Sequence, residues 1–234
     1  MPQMMKHLVF GVLIAITLSL ASTTARADGV VASGQVPDGG TGFGTILTIL
    51  TLHNDGAEAG GIAWNGSADV ATSADVVPNP PHSQTVTFAT LSSLGFNSGN
   101  LNIVFNVNET GANPDLTLNS LTIKVYDAAG TVVYSSTTCV GCPGSYPVFE
   151  QGQGSSGYLF TLDAAAQAAL NNFFLTCPTC HLGLTASITG SDDGAEDFNI
   201  VRSDTAVPEP ASMLLLGTGL LGVAGAARRR FSRK

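Results

Sequence analysis

Apolar and polar positions alternate with a period of two over much of the chain. From Leu101 to Asn108 every odd position is apolar and three of the four even ones are Asn. Such a segment predicts a strand with one face on a core and the other in water. Leu182, Leu184, Ala186 and Ile188 alternate in the same way. Leu121, Ile123 and Val125 do so after Leu116 and Leu118 in the opposite parity, which predicts a bulge or strand change at Asn119-Ser120. Thr45 to Leu52 is a denser apolar strand, and 86–91, 132–135, 158–162 and 198–202 are further strands. Asp127-Ala128-Ala129-Gly130 predicts a hairpin turn, with Gly where positive φ is needed. One helix interrupts: Asp163 is its N-cap, and Ala164 to Phe174 is Ala-rich with Leu170, Phe173 and Phe174 at helical spacing. Residues 37–44 and 54–81 read as loops; Trp64 in the second is expected to pack inward, and only an exposed Trp64 would be a platform for carbohydrate. The expected class is all-β, a β-sandwich or jelly-roll-like body with one short helix.

The two ends follow another pattern. Lys6, the apolar run Leu8–Leu20 and the small-x-small triplet Ala25-Arg26-Ala27 make residues 1–27 a secretory signal peptide. At the other end Val207-Pro208-Glu209-Pro210 precedes an uncharged stretch, 211–227, and then Arg228, Arg229 and Arg230. At ~1.5 Å per residue that stretch is ~26 Å long, enough for a transmembrane helix across a thin bilayer core. The Arg cluster would hold the C-terminus in the cytoplasm. The expected organisation is signal peptide 1–27, β-sandwich body 28–206 and tail 207–234.

Charge sharpens this division. The chain has nine Lys and Arg against 17 Asp and Glu. The body keeps only Lys124 and Arg202 against 16 acids, about −14. Such a body repels nucleic acid, and it attracts cations or basic surfaces.

The tail resembles the sorting tail of PEP-CTERM proteins of Gram-negative bacteria. The matching parts are Pro208, Glu209 and Pro210, the segment from Met213-Leu214-Leu215-Leu216-Gly217 onward, and the Arg run. The resemblance covers about 28 residues and says little about the body. It implies handling by an exosortase-type membrane enzyme near Val207–Pro210, in a bacterium that makes exopolysaccharide. The implied partners are the export machinery, that enzyme, the membrane and extracellular polysaccharide. The implied course is a precursor anchored in the inner membrane with its body in the periplasm, and a mature form at the cell surface or in the extracellular matrix, with a structural or adhesive role.

Within the body, Cys139, Cys142, Cys177 and Cys180 form two C-x-x-C pairs. Two such knuckles can hold zinc, but the gap of 34 residues exceeds the usual zinc-ribbon spacing of roughly 15–20. A redox site needs its C-x-x-C at a helix N-terminus, whereas Cys177 follows a helix. Export favours disulfides, and all three connectivities are open. Asp192, Asp193, Glu196 and Asp197 lie within 191–197, a weak calcium set without EF-hand order; its bland reading is a solvated acidic turn. No other cofactor is expected. Two G-x-G-x-x-G matches, 152–157 and 217–222, lack the strand–turn–helix setting a nucleotide site needs. No G-x-S-x-G or H-E-x-x-H occurs, and His53, His82 and His181 are isolated in sequence, so the body is read as non-enzymatic. The alternative is a carbohydrate- or calcium-binding module of the same fold.

Overall fold

The computed structural model describes residues 29–37, 46–108, 115–148, 156–192 and 194–202. The leader, the whole 207–234 tail and Asp193 lie outside the described residues.

The chain runs β1 (Val30–Pro37), β2 (Ile46–Leu52), β3 (Ala57–Trp64), β4 (Asp69–Ala71), β5 (Val86–Thr87), α1 (Phe88–Ser93), β6 (Leu101–Val107) and β7 (Asp115–Tyr126). It continues with β8 (Val132–Ser135), β9 (Gly144–Pro147), β10 (Ser156–Leu162), α2 (Ala164–Thr176), β11 (His181–Thr189) and β12 (Glu196–Arg202). One sheet has the order β1-β10-β6-β12-β2; the other has β4-β3-β11-β7-β8, with β5 also on β11 and β9 on β7. The paired strands of both sheets are antiparallel. This is the all-β sandwich that the alternation predicts.

The registers define two ends. Glu196 pairs Leu52 and Ser156 pairs Val107 in the first sheet, and Thr189 pairs Ala57 and Thr117 in the second. At that end β2 gives way to β3, β6 to β7, β9 to β10 and β11 to β12, each step changing sheet. At the opposite end Val30 pairs Leu162 and Arg202 pairs Leu101. Both helices sit there too, so the two ends of the described body, Gly29 and Arg202, emerge on the same side.

Aromatic rings carry the middle of the core. Phe105 and Phe198 are cross-strand partners whose rings stack at 4.8 Å, and both are fully buried. Tyr146, from the other sheet, meets Phe105 edge-on at 5.8 Å and Tyr158 at 4.8 Å. Such pairs contribute beyond their buried area.

Several expectations change in detail. A second helix, α1, occupies most of 86–91. Thr87 stops the strand because its Oγ1 accepts from Thr90 N at 3.1 Å, a side-chain cap that favours a helix after it. The expected loop 54–81 contains β3 and β4. Its glycines serve close approach: a Cβ at Gly60 would lie 2.2 Å from Ser73 Oγ, and one at Gly61 would lie 2.5 Å from Leu184 O. The polar face of β6 is covered, with Asn102 and Asn106 both buried, because β6 is a central strand between β10 and β12. Strand β1 carries no alternation that marked it. The expected transmembrane span lies outside the described residues; among those described, no helix is long and apolar enough to cross a membrane.

The hairpin and helix follow the sequence. Gly130 has φ +87°, Asp127 N donates to Thr131 O at 2.9 Å, and Asp127 Oδ1 accepts from Ala129 N and Thr131 N. The bulge falls where parity breaks: Ser187 pairs Ser120 and Ile188 pairs Leu118, leaving Asn119 as the extra residue. Asp163 Oδ1 caps α2 by accepting from Ala165 N at 2.9 Å and Ala166 N at 2.8 Å. Its Oδ2 accepts from Gly29 N at 3.0 Å, tying β1 to the helix start.

Candidate functional site

The body brings its chemistry-bearing side chains to three places. The first is the helix end of the sandwich. Cys177 and Cys180 form a disulfide just after α2, and His181 opens β11 directly after it. Trp64, at the end of β3, stacks flat on the His181 ring, with centroids 3.9 Å apart and planes at 7°. The Trp64 Nε1–H donates to Ala128 O at 3.3 Å, which anchors the indole to the β7–β8 turn. Trp64 is therefore half-buried with one face covered, not the exposed platform a sugar would need there.

Thr85 Oγ1 lies 2.8 Å from His181 Nδ1 and donates to Asp69 Oδ1. A hydroxyl has one proton, so the Nδ1–H of His181 is the donor to Thr85 and Nε2 carries the lone pair of the neutral ring. Burial lowers the His181 pKa, and the Asp69 charge raises it by a smaller amount. The hydroxyl here stands between carboxylate and imidazole. In a nucleophilic triad the imidazole stands between the other two. This arrangement orients a histidine and does not activate the Thr85 hydroxyl as a nucleophile. His53 and His82 are exposed and stand elsewhere, on the loops after β2 and before β5.

The second place is the pair of C-x-x-C loops. Each pair closes on itself, Cys139–Cys142 and Cys177–Cys180. Cys139 and Cys180 are buried in the core. The first loop clips β1, because Val140 N donates to Val30 O at 2.8 Å and Val31 bridges Val140 in parallel. The second closes the turn between α2 and β11, where Cys180 O accepts from Phe88 N at 3.1 Å. With the sulfurs in two separate disulfides, these four residues do not form a zinc site.

The third place is the loop end. The structure separates the acidic set of 191–197. Asp192 is exposed, and Asp193 lies outside the described residues. Asp197 accepts from Thr51 Oγ1 at 2.6 Å. Glu196, the next residue along the strand, turns the other way and is fully buried. There it meets Glu58 of β3, also fully buried, across the sandwich. Among the described residues no three His, Cys, Asp or Glu side chains converge as a metal cluster. Nothing local marks Glu58: it lies in a segment read as loop, 138 positions from Glu196.

The tail residues Val207, Pro208, Glu209, Pro210, Arg228, Arg229 and Arg230 lie outside the described residues. A family model of the PEP-CTERM protein-sorting motif matches residues 206–230. It covers the Pro-Glu-Pro triplet, the apolar run and the Arg cluster in one stretch. The tail is thus of the kind that marks an exported precursor for processing at the membrane. No curated protein and no solved structure matches the chain.

Proposed function

We propose that this chain is a non-enzymatic surface or matrix protein, delivered by its tail through an exosortase-type system. The match at 206–230 carries the reading. The signal peptide engages the export machinery, and the body crosses to the periplasmic side. The apolar run and the Arg cluster hold the Pro208-Glu209-Pro210 segment at fixed depth and orientation beside the membrane. Two prolines keep that segment extended, open to an enzyme. The mature body, freed or transferred, then serves as a structural or adhesive component in contact with extracellular polysaccharide.

The body supports an extracellular life. Both cysteine pairs are oxidised, each tying a loop to the core, as suits a compartment without glutathione. The hydroxyl-centred Asp69–Thr85–His181 chain supports a non-catalytic reading, since it supplies no activated nucleophile. Mass spectrometry of the protein from its native host tests the whole proposal. The expected mature chain begins at Asp28, ends near Val207–Pro210 and contains no free thiol. In a strain lacking the exosortase the C-terminal tail stays attached. A chain that keeps its tail in both strains would overturn the sorting reading.

A further inference from the structure

The helix end of the sandwich has a surface unlike that of the loop end. Among the described residues six large apolar side chains are exposed: Ile46, Val70, Val132, Val133, Val140 and Leu175. The registers put all six at the helix end. Ile46 pairs Val201, Val70 pairs Ala63 beside Trp64, Val132 pairs Tyr126, and Val140 bridges Val31. Leu175 lies in the last turn of α2 and is 75% exposed. Exposed apolar residues are ordinary when scattered, but these are confined to one end. The helices there match them. Neither α1 nor α2 contains a charged residue, and the exposed stripe of α2 runs through Ala164, Ala168, Asn171 and Leu175. A helix that faces water ordinarily carries charge on its outer face. The one Trp of the chain, Trp64, and Tyr134 are half-buried at the same end, residue types that favour a membrane–water interface.

We infer that the helix end is a membrane-docking face, seated on the bilayer surface in the tailed precursor. The inference builds on the proposed sorting reading, in which 211–227 lies in the bilayer. Arg202 ends its strand at this face, and only 203–207 separates it from Pro208. At ~3.4 Å per residue the tail holds the face within ~20 Å of the membrane. A second copy would also cover apolar surface, but no such tether brings one to this face. Charge sets the same orientation. Asp55, Asp115 and Asp192 are exposed at the loop end. The nine residues of β11, at ~3.3 Å each, place that end ~30 Å away. That is several Debye lengths from an anionic bilayer surface. Lys124 and Arg202 stand in the near half, pairing with Gly183 and Leu101. The near acids Asp69, Asp127 and Asp163 accept hydrogen bonds from Thr85, Ala129 and Ala165 within the body.

Depth-resolved fluorescence tests the docking. All four cysteines are paired, so an introduced one is the only site for a thiol-reactive label. The tailed precursor, from the strain lacking the exosortase, is reconstituted into phosphatidylcholine–phosphatidylglycerol vesicles. It carries a polarity-sensitive label at Leu175→Cys or, separately, at Asp192→Cys. The expected result is a blue shift and quenching by spin-labelled lipid at Leu175→Cys, with neither at Asp192→Cys. Adding Ala168→Glu/Asn171→Glu should abolish the quenching while the chain still floats with the vesicles. Both positions are exposed and Glu suits a helix, so the fold is kept. Flotation without quenching at Leu175→Cys would overturn the docking face and leave the sorting reading standing. A precursor that does not float would overturn both. A blue shift without lipid quenching, with crosslinked dimer, would give the face to a second copy. Equal quenching at both labels would mean that no end is preferred. Either result overturns the inference.

Discussion

At the scale of single residues, two buried titratable groups give the body opposite responses to pH. Burial raises the Glu58 pKa above its ordinary 4.5. Its protonated form is favoured by folding, so that stabilisation is full below about pH 4.5 and fades as pH rises through the folded value. His181 has the reverse sign. Burial lowers its pKa from the ordinary 6.5, so its stabilisation is present above about 6.5 and fades as pH falls through the folded value. Urea unfolding across this range should therefore show stability in Glu58→Gln that no longer falls on the alkaline side, with the acid-side loss intact. A fall that persists unchanged in Glu58→Gln would remove Glu58 as its source. Asp163 acts through hydrogen bonds alone: it caps α2 and holds Gly29 N. Asp163→Ala should cost about 1–2 kcal/mol by urea denaturation, the upper part of the range for a lost cap because a β1 contact goes with it.

At the scale of elements, what could be read from sequence was what local periodicity encodes. Strand β8 runs Val132–Ser135, as its apolar run predicts, and α2 begins at the Ala164 that Asp163 marks. The bulge at Asn119 was visible as a change of parity. What stayed hidden depends on partners far along the chain. Strand β3 contains Gly60 and Gly61, which look like loop residues until Ser73 and Leu184 press against them. Asn102 and Asn106 look like a wet face until β10 and β12 flank them. The same distance effect hid the meeting of Glu58 with Glu196 and of Trp64 with His181. Gly60→Ala should accordingly destabilise the body, seen as a lower urea midpoint, because its Cβ displaces the Ser73 and Val76 side chains. The disulfide loops follow the opposite logic. Each closes only three residues of separation, so the chain-entropy effect of either is small, about 2 kcal/mol. Cys177→Ser/Cys180→Ser should leave a folded body with a modestly lower Tm, whereas Phe105→Ala at the centre of the ring cluster should cost about 3–5 kcal/mol.

At the scale of the whole molecule, topology decides how the body meets the membrane. Arg202 ends a central strand at the helix end, opposite the acidic loops. Only the segment 203–207 separates it from Pro208 of the sorting motif. At ~3.4 Å per residue the motif can stand at most ~20 Å from the last strand. On the proposed sorting reading, a membrane enzyme acting on Pro208-Glu209-Pro210 would work within that reach of the helix end, opposite the acidic loops. Deleting 203–207 should bring the sandwich against the motif and leave tailed precursor accumulating in an immunoblot of host cells. Replacing the same segment with five Gly and Ser residues should restore processing, because reach and not sequence is what the segment supplies. Unchanged processing after the deletion would mean that the enzyme does not need clearance from the folded body, and the helix end would then have no part in presenting the tail.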